Sequence, residues 1–399
     1  VHPTGLIAMA LPGAAGDVAE SGALRIAVAT PFVDLYSETF VAAHIRGLRR
    51  VELLLHGSTL PLFVHGEGPF LRNGTRGRFC DRLEALMRGG GLNDLLAHRI
   101  ARTLVERNIH VVLAEYGTTA DRMAPICRAA GIPLVAHFHG FDAFKHAVLA
   151  EHDHYRSFFH TATRMVTPSA HMRDHLVSLG AGSARIDVIP CGVDLRRFAA
   201  VDPASNGPHL LAVGRFVPKK CMADVVNAFR IVHALRPEAR LTLVGDGPDR
   251  AALEAIVAAS GLKDAVNFAG VCTHEQVAQL MSRSRLLLQA SALAPDGDQE
   301  GTPVVVLEAM ASGLPVVATR HAGIPEVVQH GVTGWLAPEH DVDLLAEGVI
   351  HLLDDPERAG LMGAAGRVAI TARLQLKDTL SRLQKVLMEA AVQGRQAAE

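Results

Sequence analysis

Apolar residues in this chain come in short unbroken runs, separated by longer stretches with helical spacing. Leu24–Thr30 is one such run, closed by Pro31, and reads as a buried strand because both of its faces are apolar. A helical pattern follows to Leu48, with Ser37 as N-cap in the stretch Ser37-Glu38-Thr39-Phe40. The same rule predicts strands over Val51–Leu55, Ile109–Ala114, Leu134–Phe138, Met165–Thr167 and Ile186–Ile189. Helices are predicted over Asn93–Arg107, Ala120–Ala130, 146–160 and Ala170–Leu179. Alternation of this kind implies a parallel sheet covered on both faces.

The plan then starts again. Asp202–Pro208 is polar and turn-forming. Strand patterns follow at His209–Val213, Leu241–Val244, Val266–Cys272, Leu286–Ser291 and Pro315–Thr319, with a helix ending near Leu235. The reading is an α/β chain with a loose tail at 1–22, a first domain at 23–200 and a linker at 201–208. A second domain covers 209–370 and a last helix 371–399. Leu376, Leu380, Leu383, Leu387 and Ala390 put an apolar stripe on that helix, expected to face a core; contact with a membrane surface is the second reading. Segment 66–92 carries Arg72, Arg76, Arg78, Arg82 and Arg88 against Asp81 and Glu84. It reads as a solvated loop, in preference to a patch facing anionic lipid or a phosphate-bearing acceptor.

Composition sets outer bounds. The length of 399 residues suits two or three domains, and a formal charge of −2 gives no footprint for nucleic acid. Five cysteines without a C-x-x-C pair suggest reduced thiols and a cytoplasmic protein. No apolar run approaches the length of a membrane span, and Leu6–Leu11 lacks the basic flank of a signal peptide.

Candidate chemistry centres on Asp296-Gly297-Asp298-Gln299-Glu300-Gly301-Thr302-Pro303 and the apolar helix that follows to Gly313. Thr302 reads as N-cap and Pro303 as first helical residue. Glu308 then sits inside a buried helix, where a carboxylate needs a partner. Glu300 and Glu308 flank a helix N-terminus whose free amides attract an anion, with Glu300 in a flexible acidic loop. Sugar hydroxyls beside a phosphate would satisfy that arrangement; backbone groups around Glu308 are the plainer alternative. At a strand end, His137 and His139 share a face, as hydrogen-bonded structural histidines in preference to a metal site, for which no third ligand has the right spacing. Gly214-Arg215-Phe216-Val217-Pro218-Lys219-Lys220 joins a strand to a helix and reads as an anion cradle, or else as a solvated basic turn. Leu241–Pro248 ends in a glycine turn too short for a dinucleotide fingerprint.

Glu300 and Glu308, spaced E-x7-E and followed by Ala309-Met310-Ala311-Ser312-Gly313-Leu314-Pro315, resemble the signature of the family-four retaining glycosyltransferases of the GT-B type. The resemblance implies two Rossmann-like domains facing across a cleft, with the final helix returning to the first. It implies that Glu300 contacts the transferred sugar and Glu308 the ribose of a nucleotide-diphospho-sugar. Gly301, Thr302, Pro303 and Val304 would hold the diphosphate or sugar, and Arg215 and Lys220, with Gly214, would grip the diphosphate. Gly245 would line the donor cleft and the backbone near Val271 and Cys272 would contact the base. His139 would point at the transferred sugar, with Asp142 and Lys145 near the acceptor. Gly323-Ile324-Pro325-Glu326 resembles the family's loop beside the donor, or serves architecture alone. Ser37–Phe40 stands where many relatives carry a Gly-Gly loop, a departure that resembles the branch building bacterial exopolysaccharides, and Cys191 replaces the Asn of an Asn-Gly-Val-Asp turn.

The implied reaction is transfer from a UDP- or GDP-linked sugar to a saccharide or lipid-linked saccharide, without metal or other cofactor. Peripheral contact with the inner face of the membrane goes with a lipid-linked acceptor. Two rivals stand beside it. Asp296-Gly297-Asp298 reads as the D-x-D of a metal-dependent transferase, and the same fold suits a non-catalytic nucleotide-sugar binder in a polysaccharide assembly complex.

Overall fold

The computed structural model describes residues 24–33 and 39–396. The tail and the Ser37 cap lie outside the described residues. Two α/β domains face each other across a cleft, the GT-B arrangement. The first is built on β1 (Ile26–Ala29), β2 (Val51–His56), β3 (Phe63–Val64), β4 (Gly68–Pro69), β5 (Val111–Glu115), β6 (Leu134–His137), β7 (Arg164–Thr167) and β8 (Ile186–Val188). Their order is β4-β3-β2-β1-β5-β6-β7-β8, parallel except for the antiparallel edge strands β3 and β4. The second sheet has β9 (His209–Val213), β10 (Arg240–Val244), β11 (Val266–Gly270), β12 (Leu286–Gln289), β13 (Val316–Thr319) and β14 (Gly334–Ala337). It runs β11-β10-β9-β12-β13-β14, parallel throughout.

Strand periodicity explains why each sheet needs cover on both sides. In β1, Ala27 and Ala29 face the core containing Leu96 and Ile100, while Ile26 and Val28 face the opposite one. That second core is closed by Leu383, Val386, Leu387 and Ala390 of the helix Leu376–Gln396. The last helix therefore packs on the first domain. The crossing lies at Leu374–Gln375, where Val193 exchanges backbone hydrogen bonds with Leu374 and Leu376 at 2.9 Å each. The boundary expected after residue 370 falls inside the helix Pro356–Arg373, which stays with the second domain.

Two expectations need correction. The helix expected over 146–160 is broken, because Asp153, His154 and Tyr155 all adopt left-handed φ of 46–60°. That break aims the Tyr155 hydroxyl at the carbonyl of Asp142, 2.7 Å away. Segment 66–92 is not a loop: it contains the helix Gly74–Met87.

The buried helix ends as its sequence implies, at Gly313 in the left-handed region (φ 78°). Gly363 of the following long helix lies directly against the Gly313 carbonyl, so a Cβ there would collide with backbone. Gly363→Ala should cost about 1–3 kcal/mol by forcing those two helices apart. Urea unfolding of the variant would show the midpoint drop; an unchanged midpoint would mean the helices separate freely.

Candidate active site

The carboxyl ends of both sheets meet at a cavity of about 500 Å³. Thirteen of the residues singled out from the sequence line it: His139, Gly214, Arg215, Lys220, Gly245, Val271, Cys272, Glu300, Gly301, Thr302, Pro303, Val304 and Glu308. Phe40, Tyr116, Phe141, Lys219 and His274 line it too.

The helix at its floor begins one residue later than expected. Pro303 is the N-cap, with ψ 119°, and the helix runs Val304–Ser312. Thr302 does not cap it; its hydroxyl donates across the cleft to the carbonyl of Pro168 at 3.4 Å. Proline fits the cap position because it brings no amide to satisfy. The first amides of the helix keep no intrahelical acceptor and open on the cavity. Glu308 is 8% exposed and lies 3.5 Å from Nδ1 of His274. Among the described residues His274 is its side-chain partner, so backbone groups do not satisfy this carboxylate.

Glu300 is 7% exposed, with Nζ of Lys220 2.7 Å from its Oε1. Burial alone would raise its pKa, but Lys220 and Lys219 outweigh it and hold the carboxyl down at about 2. The acidic loop is tied rather than flexible. Asp296 pairs with Lys145 of the other domain at 2.7 Å and Asp298 with Lys219 at 2.9 Å. Both carboxylates of the D-x-D are thus already neutralised by lysines. The backbone amide of Glu300 donates to Nε2 of His321 at 3.2 Å, and His321 gives its Nδ1 proton to Glu339 at 2.7 Å. Burial lowers the pKa of His321, which favours the neutral tautomer this relay needs. Arg215, by contrast, is exposed on the cavity and has no side-chain partner among the described residues.

Across the cleft, His139 stacks on Phe40 with ring centres 4.3 Å apart, and Tyr116 meets it edge-on at 4.8 Å. Its Nε2 lies 2.7 Å from Oε2 of Glu115. An ionised carboxylate only accepts, so Nε2 carries the proton of this bond. Sequence reading missed Glu115, although an acid closing the apolar strand β5 was a visible signal. It is fully buried, which would raise its pKa; His44 at 2.8 Å and His139 reverse this and keep it charged. His137 stacks on His44 and lies tilted against His139, its pKa pushed well down by burial, with both ring nitrogens lacking a hydrogen-bond partner. His44, Glu115 and His137 form a metal-like donor group. The 2.8 Å between His44 and Glu115 is nonetheless a hydrogen-bond spacing, shorter than the roughly 3.3 Å between donors around a tetrahedral zinc.

Two residues expected near an acceptor are committed elsewhere. Asp142 is buried and accepts from the amides of Gly117, His139 and Gly140 at 2.8–3.0 Å. It shapes the loop under His139, and Lys145 is held by Asp296. Cys191 lines the cavity, where burial pushes its thiol up to about 12, out of reach of nucleophilic work. The Gly323–Glu326 loop packs behind the cavity wall. Gly323 backs directly onto Gly301, and Glu326 accepts from the amides of Ala170 and His171 at 2.8 and 2.9 Å.

The chain is similar to known proteins. Residues 37–197 match the model described as Glycosyltransferase Family 4, and residues 196–368 that described as Glycosyl transferases group 1. A GDP-mannose-dependent alpha-(1-6)-phosphatidylinositol monomannoside mannosyltransferase of Mycobacterium tuberculosis is 31% identical over 296 residues, 71% of this chain and 76% of that one. The chain belongs to glycosyltransferase family four. It is also similar to the amylovoran biosynthesis glycosyltransferase AmsK of Erwinia amylovora, 34% identical over 220 residues, and spans about half the length (54%) of that relative. Among solved structures, Anabaena Alr3699/HepE in complex with UDP and glucose shares the fold (TM-score 0.72, 19% identity, 92% of this chain and 100% of that). So does sucrose-phosphate synthase from Thermosynechococcus elongatus (TM-score 0.68, 20% identity, 94% and 100%).

Two predictions follow from the charges of this family-four site. Because the Glu300 pKa is depressed on folding, its contribution to stability is present above the unfolded value near 4.5 and is lost as pH falls toward about 2. Lys220→Met leaves a buried carboxylate short of a cation, at a cost of about 3–5 kcal/mol at neutral pH. Its unfolding curves should lack the loss between pH 4.5 and 2 expected of the native protein; a parallel loss in both proteins would remove Lys220 as the cause. Glu115→Gln should slow sugar transfer roughly a hundredfold through misplacement of His139, with nucleotide affinity held within twofold. Equal transfer rates would make Glu115 a packing residue.

Proposed function

We propose that this chain is a retaining glycosyltransferase that moves a sugar from a UDP- or GDP-linked donor to a hydroxyl of a saccharide or lipid-linked saccharide. The observation carrying the reading is the pair of carboxylates, Glu300 and Glu308, on either side of a helix N-terminus that opens on the cavity. Glu308 accepts from the ribose hydroxyls and Glu300 from hydroxyls of the transferred sugar. The free amides of Val304 and Val305, with Arg215 and Lys220, receive the diphosphate and stabilise the charge that grows on it as the sugar leaves. His139 faces the reacting sugar from the other domain. Val271 and Cys272 lie beside the base.

Retention follows if the acceptor attacks from the face that the diphosphate leaves, with the diphosphate taking the acceptor's proton. In support, the acids among the described lining residues are Glu300 and Glu308, both on the donor side. The donor chemistry is supported by a GDP-mannose-dependent relative and by UDP in the HepE complex. Residues from the chain neutralise the diphosphate, so the reaction needs no metal. An exopolysaccharide or related glycoconjugate product accords with the likeness to AmsK. The site of action is the cytoplasm, at the inner face of the membrane; among the described residues no helix is long and apolar enough to cross one.

Thermal-shift titration against UDP- and GDP-sugars tests the binding half, since a donor at a hundred times its Kd adds about 2.7 kcal/mol. Glu308→Ala should abolish the shift, and His139→Ala should keep it while losing turnover. A donor that shifts Glu308→Ala as strongly as the native protein would refute the ribose assignment. An inverted anomeric centre in the product, read by NMR, would refute retention, and loss of activity with a chelator would restore the D-x-D reading.

A further inference from the structure

The helix Gly74–Met87 packs against the helix Leu92–Glu106 on the flank of the first domain. Its buried residues are Asp81 and Ala85. Asp81 and Glu84, its only acids, both turn to Arg99 of the neighbouring helix, at 2.8 and 2.7 Å. Solvent is therefore shown a face with no negative charge. Phe79, Leu83, Leu86 and Met87 on that face are 67, 49, 73 and 80% exposed. At 100° per residue, Phe79, Leu83 and Leu86 fall opposite Asp81 and Ala85, with Arg78 and Arg82 on one side of the stripe and Arg76 on the other. All three arginines are exposed and form no ion pair among the described residues. An ordinary surface helix turns its apolar stripe inward; this one presents it to water, rimmed by cations.

We propose that this helix docks the protein in the plane of an anionic lipid bilayer. Phe79, Leu83 and Leu86 enter the boundary between headgroups and acyl chains, and Arg76, Arg78 and Arg82 meet lipid phosphates. A second copy of the chain fits the same face poorly, because burying one apolar stripe against another would bring like-charged arginine rims together. The inference deepens the proposed reading, since a lipid-linked acceptor is met at such a surface, yet the face and its charges are independent of that reading.

Flotation of the full chain with vesicles of phosphatidylcholine alone, or with about a third phosphatidylglycerol, tests the proposal. The native protein should float with the anionic vesicles and stay behind with the neutral ones. Arg76→Gln/Arg78→Gln/Arg82→Gln should weaken binding roughly a hundredfold. Phe79→Ser/Leu86→Ser should weaken it without lowering the melting temperature, as both side chains face solvent. Failure to float with anionic vesicles, equal flotation with neutral ones, or native binding by either variant overturns the proposal. So does a concentration-dependent dimer in sedimentation that the serine variant abolishes, which would assign the face to a second copy. The donor-induced thermal shift should survive in both variants, so loss of flotation with the shift intact separates failure of the docking face from failure of the glycosyltransferase reading.

Discussion

The Glu300 carboxylate, buried and held charged by Lys220 and Lys219, is the interaction on which the cleft depends. A lone carboxylate at that depth would take up a proton or draw in water. With two lysines from the β9 loop beside it, it stays an anion, and the backbone following it is fixed where the buried helix must start. Lys219 adds a second anchor, bonding Asp298 and the carbonyl of Gln299 at 2.9 and 3.1 Å. One short basic loop thus positions the acidic loop, the helix N-terminus and the anion site together.

The two domains are joined differently from the way each is built. Inside each domain, apolar side chains on both faces of the sheet make the core. Across the cleft the ties among the described residues include Lys145 with Asp296, the amide of His146 with the carbonyl of Asp296, Glu326 with the amides of Ala170 and His171, His171 with Gln299 at 3.0 Å, and the Thr302 hydroxyl with the carbonyl of Pro168. Exposed polar contacts of this kind contribute little each. Opening the cleft therefore costs far less than unfolding either domain, and the side chains that would give way, Lys145 and Glu326, touch neither Glu300 nor Glu308. A two-domain enzyme that admits and then encloses a donor needs that separation of strengths.

How much of this was legible in the sequence depends on whether the signal is local. The strands and the E-x7-E spacing are, because unbroken apolar runs and an eight-residue separation can be counted from residue types alone. Glu115 was not read, although its strand was, because its partners lie 71 residues before it and 24 after it. The Thr302 cap failed for a similar reason, since its hydroxyl is claimed by Pro168 from the other domain. Gly74–Met87 looked like a loop because its apolar residues do not point at a core, which is the property that gives the helix an outward face. Left-handed φ at Asp153, His154 and Tyr155 has no marker in residue type, glycine being absent there.

The internal ion pair also bears on how a buried carboxylate is kept charged without closing the site to its proposed ligand. In the proposed reaction a diphosphate brings negative charge to the helix amides, to Arg215 and to Lys220. Lys220 already holds Glu300, so phosphate oxygens arriving at Lys220 would share its charge and leave Glu300 free to accept from sugar hydroxyls. Arg215, exposed and unpaired among the described residues, offers the cation that meets the phosphate first. Glu308 is prepared in the same way, its carboxylate resting against His274, whose pKa is raised by that contact. Each carboxylate thus has a cationic or protonatable neighbour within the protein, and in the proposed reaction that neighbour yields to a ligand presenting hydroxyls and phosphate together. A simple anion would satisfy the lysine and leave a buried carboxylate unpaired, a cost of several kcal/mol. Selectivity for a nucleotide sugar over free phosphate then arises from the acids as much as from the bases.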